Sequence, residues 1–104
     1  MTIRNIDVVA SLQAIMDFAT KEKETGALLS AKGEYKLAKN KKILLDAYEP
    51  YQMALEAIGK ENKEGITALL EETVEIGELA MLSIDDFKDG ITLELITKLD
   101  FMME

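Results

Sequence analysis

Apolar residues recur at helical spacing through the first part of the chain and give way to alternation in the last third. Val8, Leu12, Ile15, Met16 and Ala19 fall on one side of a 3.6-residue period, which predicts an amphipathic helix. Asn5 or Asp7 supplies its N-cap, since both side chains can accept from the first free backbone N–H groups. The pattern dissolves in Lys21-Glu22-Lys23-Glu24, and Thr25-Gly26 supplies a stop. Phe18 lies off the centre of the stripe and is placed to reach a second element.

A longer helix is predicted over residues 34–58. Leu37, Leu44, Tyr48, Tyr51, Leu55 and Ile58 step by 7, 4, 3, 4 and 3 residues. At about 100° per residue such steps hold one narrow sector, a coiled-coil-like seam. Gly59 ends the run, and residues 60–65 form a polar linker. Pro50 interrupts the pattern. It cannot donate to the Asp46 carbonyl and its ring crowds that turn, so a kink or two abutting helices are expected.

Residues 66–72 predict a short helix. Thr73-Val74-Glu75-Ile76 and Leu79-Ala80-Met81 then alternate with period two, with Gly77 shifting the phase between them. That predicts short extended segments, a small hairpin with a bulge. Asp89-Gly90 is a turn signal. Thr92 can cap a closing helix that carries Leu95, Ile96, Leu99, Phe101, Met102 and Met103. The expected fold is mainly α in one domain: an antiparallel helical hairpin (1–59), the linker (60–65) and a C-terminal third (66–104). That third brings a short extended or β-hairpin element and a C-terminal helix packed across the rods.

Composition narrows the chemistry. The 104 residues suit a single soluble globular domain. Cysteine, histidine and tryptophan are all absent. Without Cys and His the chain lacks the commonest nucleophile, the commonest general base and the best zinc ligands. No catalytic constellation, cofactor motif or metal-ligand spacing stands out, and a non-enzyme is expected. The opening residues lack the apolar run of a secretory signal, and no segment approaches a membrane span, so a cytoplasmic protein without membrane contact is expected.

Charge is lopsided. Residues 1–60 hold nine Lys/Arg and eight Asp/Glu, while residues 61–104 hold three Lys and twelve Asp/Glu. The total is −8, of which the last third carries −9. Such asymmetry bears on partners rather than on fold. Two groups of candidate partner-binding residues follow. Lys32, Lys36 and Lys39 lie on the second helix away from the seam, with Lys41 and Lys42 beside them. They suit a phosphate, a solvated face, or the protein's own acidic third. A net negative charge and near absence of arginine disfavour nucleic acid. Glu71, Glu72, Glu75, Glu78, Asp85, Asp86 and Asp89 form the acidic group. They suit a solvated surface or a mimic of nucleic-acid charge; a divalent metal is the weakest alternative, because calcium-loop spacing is lacking.

Tyr35 and Ile43 stand among the lysines, opposite the seam. They suit cover by the acidic third or a homo-oligomer interface, and the former is favoured because burial and opposite charge would act together. Asn40 sits beside the seam, as a register-fixing buried amide or an exposed neighbour. The methionines at 16, 53, 81, 102 and 103 are expected as core filler.

These elements carry a resemblance. Tyr35-Lys36-Leu37-Ala38-Lys39-Asn40 is followed by Tyr48 and Tyr51 on the same helix, then by a polar linker and Leu69-Leu70-Glu71-Glu72-Thr73-Val74-Glu75-Ile76. Ile84-Asp85-Asp86-Phe87 and Leu99-Asp100-Phe101-Met102 close the series. In that order and spacing, over residues 28–103, the chain resembles small uncharacterised proteins of tailed bacteriophages and prophages of Gram-positive bacteria. The resemblance implies a phage origin, action in the host cytoplasm, and a helical body with a short extended element; it brings no active site. Pro50 departs from the uninterrupted helix it implies. The expected function is that of a non-enzymatic phage accessory protein acting by contact with a phage or host protein, with virion or tail assembly as one setting. The alternative is an acidic inhibitor of a host nucleic-acid-processing or defence enzyme, acting by charge mimicry. A third reading is weak nucleic-acid binding through Lys32, Lys36, Lys39 and Lys42.

Overall fold

A computed structural model describes residues 1–89 and 91–104. Among them the elements run β1 (Thr2–Arg4), α1 (Asn5–Thr25), α2 (Ala31–Ile58), α3 (Lys63–Glu71), β2 (Thr73–Glu75) and α4 (Leu93–Lys98), with 3₁₀ turns at Ile84–Asp86 and Asp100–Met102. The molecule measures 46 × 27 × 18 Å. Its long axis matches α2, whose 28 residues span about 42 Å at 1.5 Å per residue. The fold is mainly helical: α1 and α2 form the hairpin, and the last third packs against them.

Helix α1 opens at Asn5, but not through the expected cap. Arg4 occupies the N-cap position without a side-chain bond. The chain enters the helix directly from β1, and Asn5 turns to another use. Its backbone N–H donates to the Glu72 carbonyl at 2.8 Å, and its Nδ2 donates to the Leu69 carbonyl at 2.8 Å. Thus one residue ties the start of α1 to the end of α3. Val8, Leu12 and Ile15 are buried as the stripe predicts, and Phe18 joins them. Met16 is exposed and Ala19 half-buried. The buried arc is wider than a single stripe because α1 touches α2, α3 and α4.

Ser30 caps α2 by accepting from the Gly33 N–H, so the helix starts at Ala31 rather than at 34. Gly59, at φ 84°, ends it with its N–H on the Leu55 carbonyl. The buried line is Gly33, Leu37, Asn40, Leu44, Ala47 and Tyr51, with steps of four and three. Of the predicted seam, Tyr48, Leu55 and Ile58 are only half-buried. The line turns instead toward Asn40 and Ala47, because the last third lies on that side. A single helix runs through Pro50, not two abutting ones. The proline is exposed, where water can reach the carbonyl it leaves without a donor.

The linker is shorter than predicted. Asn62 accepts from the Gly65 N–H, so Lys63, Glu64 and Gly65 form the first turn of α3. Residues 73–75 are extended as expected, but their partner is not the segment 79–81. Strand β2 pairs antiparallel with β1, Thr2 opposite Glu75, Ile3 opposite Val74 and Arg4 opposite Thr73. Pairing with the chain start buries Val74 and Ile3 against the core. Residues 79–81 run alongside α2 instead, with Leu79 buried. The turn expected at Asp89-Gly90 has Gly90 outside the described residues.

Thr92 caps α4 by accepting from the Leu95 N–H at 3.4 Å. Leu95, Leu99 and Met102 are buried, and Ile96, Phe101 and Met103 pack against them. An isolated bridge joins Leu82 to Met103, with the Leu82 N–H donating to the Met102 carbonyl at 2.7 Å. Of the methionines expected as core filler, only Met102 is buried. Met16, Met53 and Met81 are exposed. Among the described residues, no helix is long and apolar enough to cross a membrane.

Candidate functional site

Helix α2 stands at the centre, and its two flanks differ. One flank is covered by the acidic third. There Lys36 Nζ meets Asp86 Oδ2 at 2.8 Å, with the two side chains 20% and 7% exposed. The same carboxylate accepts from the Ser83 N–H at 2.9 Å. The Lys36 ammonium and the Ser83 N–H hold the Asp86 carboxyl below its ordinary value. The backbone completes the dock. The Ser30 N–H donates to the Asp86 carbonyl at 2.7 Å, and the Lys88 N–H to the Leu28 carbonyl at 2.9 Å. Gly33 admits this approach: a Cβ there would stand 3.0 Å from the Asp86 carbonyl oxygen.

One turn further along α2, Asn40 is fully buried. Its Nδ2 donates to the Ala80 carbonyl and its Oδ1 accepts from the Ala80 N–H, both at 2.7 Å. The amide thus acts as a strand edge for one residue, satisfying a backbone that has no ladder of its own. Ile43 follows, half-buried, with Gly77 over it. The expected cover by the acidic third holds for Ile43. Tyr35 stays exposed, under Lys39, whose Nζ lies 5.8 Å from the ring centroid.

The predicted partner-binding residues therefore divide. Lys36 and Asp86 pair with each other and are withdrawn from the surface. Lys42 pairs with Asp46 on its own helix at 3.4 Å. Lys32 and Lys39 are exposed. Glu71, Glu72, Glu78 and Asp85 are exposed. Glu75 is exposed too, yet bonded to Thr2 Oγ1 and paired with the Met1 ammonium at 3.6 Å, and both draw its carboxyl below the ordinary value.

Near the α1–α2 connection two acids come together. Glu22 accepts from the Leu28 N–H at 2.9 Å, which fixes the turn between the helices. Glu34 Oε1 is buried without a hydrogen-bond partner. Burial first, and then the Glu22 carboxyl, push Glu34 up to about 7, against a smaller pull from Lys88.

The other flank of α2 is open. A hollow of about 180 Å³ lies between the helices, lined by Val9, Leu12, Gln13, Met16, Lys41, Leu45 and Tyr48. A second, of about 400 Å³, continues along α2 past Tyr48, Gln52, Leu55 and Glu56. Tyr48 lines both. Met16 is 56% exposed and Leu45 46%. The spacing of Lys41, Leu45, Tyr48, Gln52 and Leu55 is itself a 4-3-4-3 stripe, beside the buried one. Its alternation of apolar and polar members masks it in the sequence. Comparison of the chain with protein-family models, curated proteins and solved structures found no match in any of the three.

Proposed function

We propose that this protein works by non-enzymatic contact with another protein, as a phage accessory protein in the host cytoplasm, with virion or tail assembly as one setting. The observation that carries this reading is the open apolar strip on the helical hairpin, Val9, Met16, Leu45 and Tyr48. Exposed Met16 and Leu45, gathered with half-buried Val9 and Tyr48 in one groove, favour a docking face over a solvated one. The phage setting rests on the resemblance in the sequence. The test is capture from infected cells with the tagged wild type and with Leu45→Asp. Virion or tail proteins retained by the wild type and lost by the variant are expected. Equal capture by both, or no phage protein with either, would sink the reading.

Charge mimicry of nucleic acid is a second reading. It is favoured by the outward position of Glu71, Glu72, Glu78 and Asp85, none of which is in an ion pair among the described residues. Inhibition of a host nuclease that weakens with salt, and with Gln at 71, 72 and 78, is expected on that reading.

A further inference from the structure

Helix α2 is electrically two-ended. Its first half, residues 31–44, carries Lys32, Lys36, Lys39, Lys41 and Lys42 against the single acid Glu34. Its second half, residues 45–58, carries Asp46, Glu49 and Glu56 and no base. This order opposes the helix dipole, which favours acids near the N-terminus and bases near the C-terminus. On the covered flank the mismatch is offset by Asp86 on Lys36. On the open flank, Lys41 and Glu56 have no ion-pair partner among the described residues. Lys41 lines the first of the two hollows that meet at Tyr48 and Glu56 lines the second, with Gly59 and Lys60 beyond it.

We propose that the open flank of α2 binds a second copy of this chain, antiparallel, about a two-fold axis beside Tyr48. This rests on the reading of the strip as a protein-docking face and names its occupant. Antiparallel pairing sets the basic half of each α2 against the acidic half of the other. Counting outward from the axis, Lys41 meets the partner's Glu56 and Leu45 meets the partner's Gln52, while the two Tyr48 rings meet at the centre. Each pair occurs twice, as a two-fold interface requires. Val9 and Met16 widen the strip from α1, so hairpin packs on hairpin in the manner of a four-helix bundle. The acidic third lies on the other flank of α2, so most of the net charge of −8 is turned away from the partner. Like-charge repulsion over such distances is screened at ordinary ionic strength.

The experiment is sedimentation equilibrium on the purified full chain over a wide concentration range, with circular dichroism to confirm that each variant is folded. The wild type is expected to reach the mass of a dimer. Lys41→Glu and Glu56→Lys each weaken it, raising the dissociation constant by about tenfold or more, and the two reversals combined in one chain restore it. Leu45→Asp, at an exposed position, gives a folded monomer. A wild type that stays monomeric at every concentration overturns the inference, as does a dimer indifferent to Leu45→Asp or a double reversal no better than the singles. A monomer that still captures phage proteins through Leu45 removes the second copy while leaving the docking face to a different chain. A charge-reversible dimer that captures nothing keeps the second copy and removes the assembly role.

Discussion

On one flank of α2, Lys36, Asn40 and Ile43 each meet a residue of the last third; on the other, Lys41, Leu45 and Tyr48 face a shallow hollow and the edge of α1. The residue types are alike. What differs is whether each group has been given its complement: a carboxylate for the ammonium, a peptide for the amide, a glycine surface for the isoleucine. The covered flank is a finished interface within one chain. The open flank has the same mixture without the complement.

Neighbouring residues can test that contrast most strongly. Leu44 is fully buried and Leu45 is 46% exposed. Leu44→Ala is expected to destabilise by about 2–5 kcal/mol and Leu45→Ala by no more than about 1 kcal/mol, read by chemical denaturation at a concentration where the chain is monomeric. Equal effects would erase the distinction between the flanks. Next in size is Asn40→Leu, which keeps the branching of the side chain but leaves the Ala80 N–H and carbonyl without partners. Its expected cost is about 2–4 kcal/mol, and a neutral result would mean the amide pair is dispensable.

Lys36→Ala sharpens the same comparison. It leaves a buried carboxylate with fewer donors, for an expected loss of about 1–3 kcal/mol near neutral pH. Asp86 is held below its ordinary 3.8, so this stabilisation is present above that value and disappears as the pH falls through the lowered one. Wild type and variant should therefore converge in acid. The smallest effect belongs to Glu34. Its carboxyl is raised from 4.5 to about 7, so the folded state holds a proton that the unfolded state releases. The resulting stabilisation is full below 4.5 and is lost as the pH rises through about 7. Glu34→Gln should flatten that decline in thermal melts; an unchanged slope would show that the buried oxygen does not titrate there.

The local grammar was legible. Gly59 and Thr92 cap the helices they were expected to cap, and Thr73-Val74-Glu75 is extended as its alternation predicts. What failed to show was what sequence spacing cannot carry. Nothing near Thr2 announces a strand whose partner lies at 73–75, since three residues make no pattern. Nothing in Lys36 selects Asp86 among the twelve acids of residues 61–104. Asn40 was open between buried and exposed because its partner is backbone, and backbone has no sequence signature. The candidate site suffered from the same cause. Val9, Met16, Leu45 and Tyr48 converge only once two helices are placed side by side.

The pairing of Thr2–Arg4 with Thr73–Glu75 also orders events in time. The contacts between α1 and α2 all lie within residues 5–58. The opening strand must wait until residue 75 has emerged, with α1, α2 and α3 all made before it finds its neighbour. Closing so long a loop is the slow, entropy-limited kind of step. Thr2–Arg4 precede all three helices in the chain, yet the strand they pair with follows all three, so the small sheet acts as a clasp closed across residues 5–72.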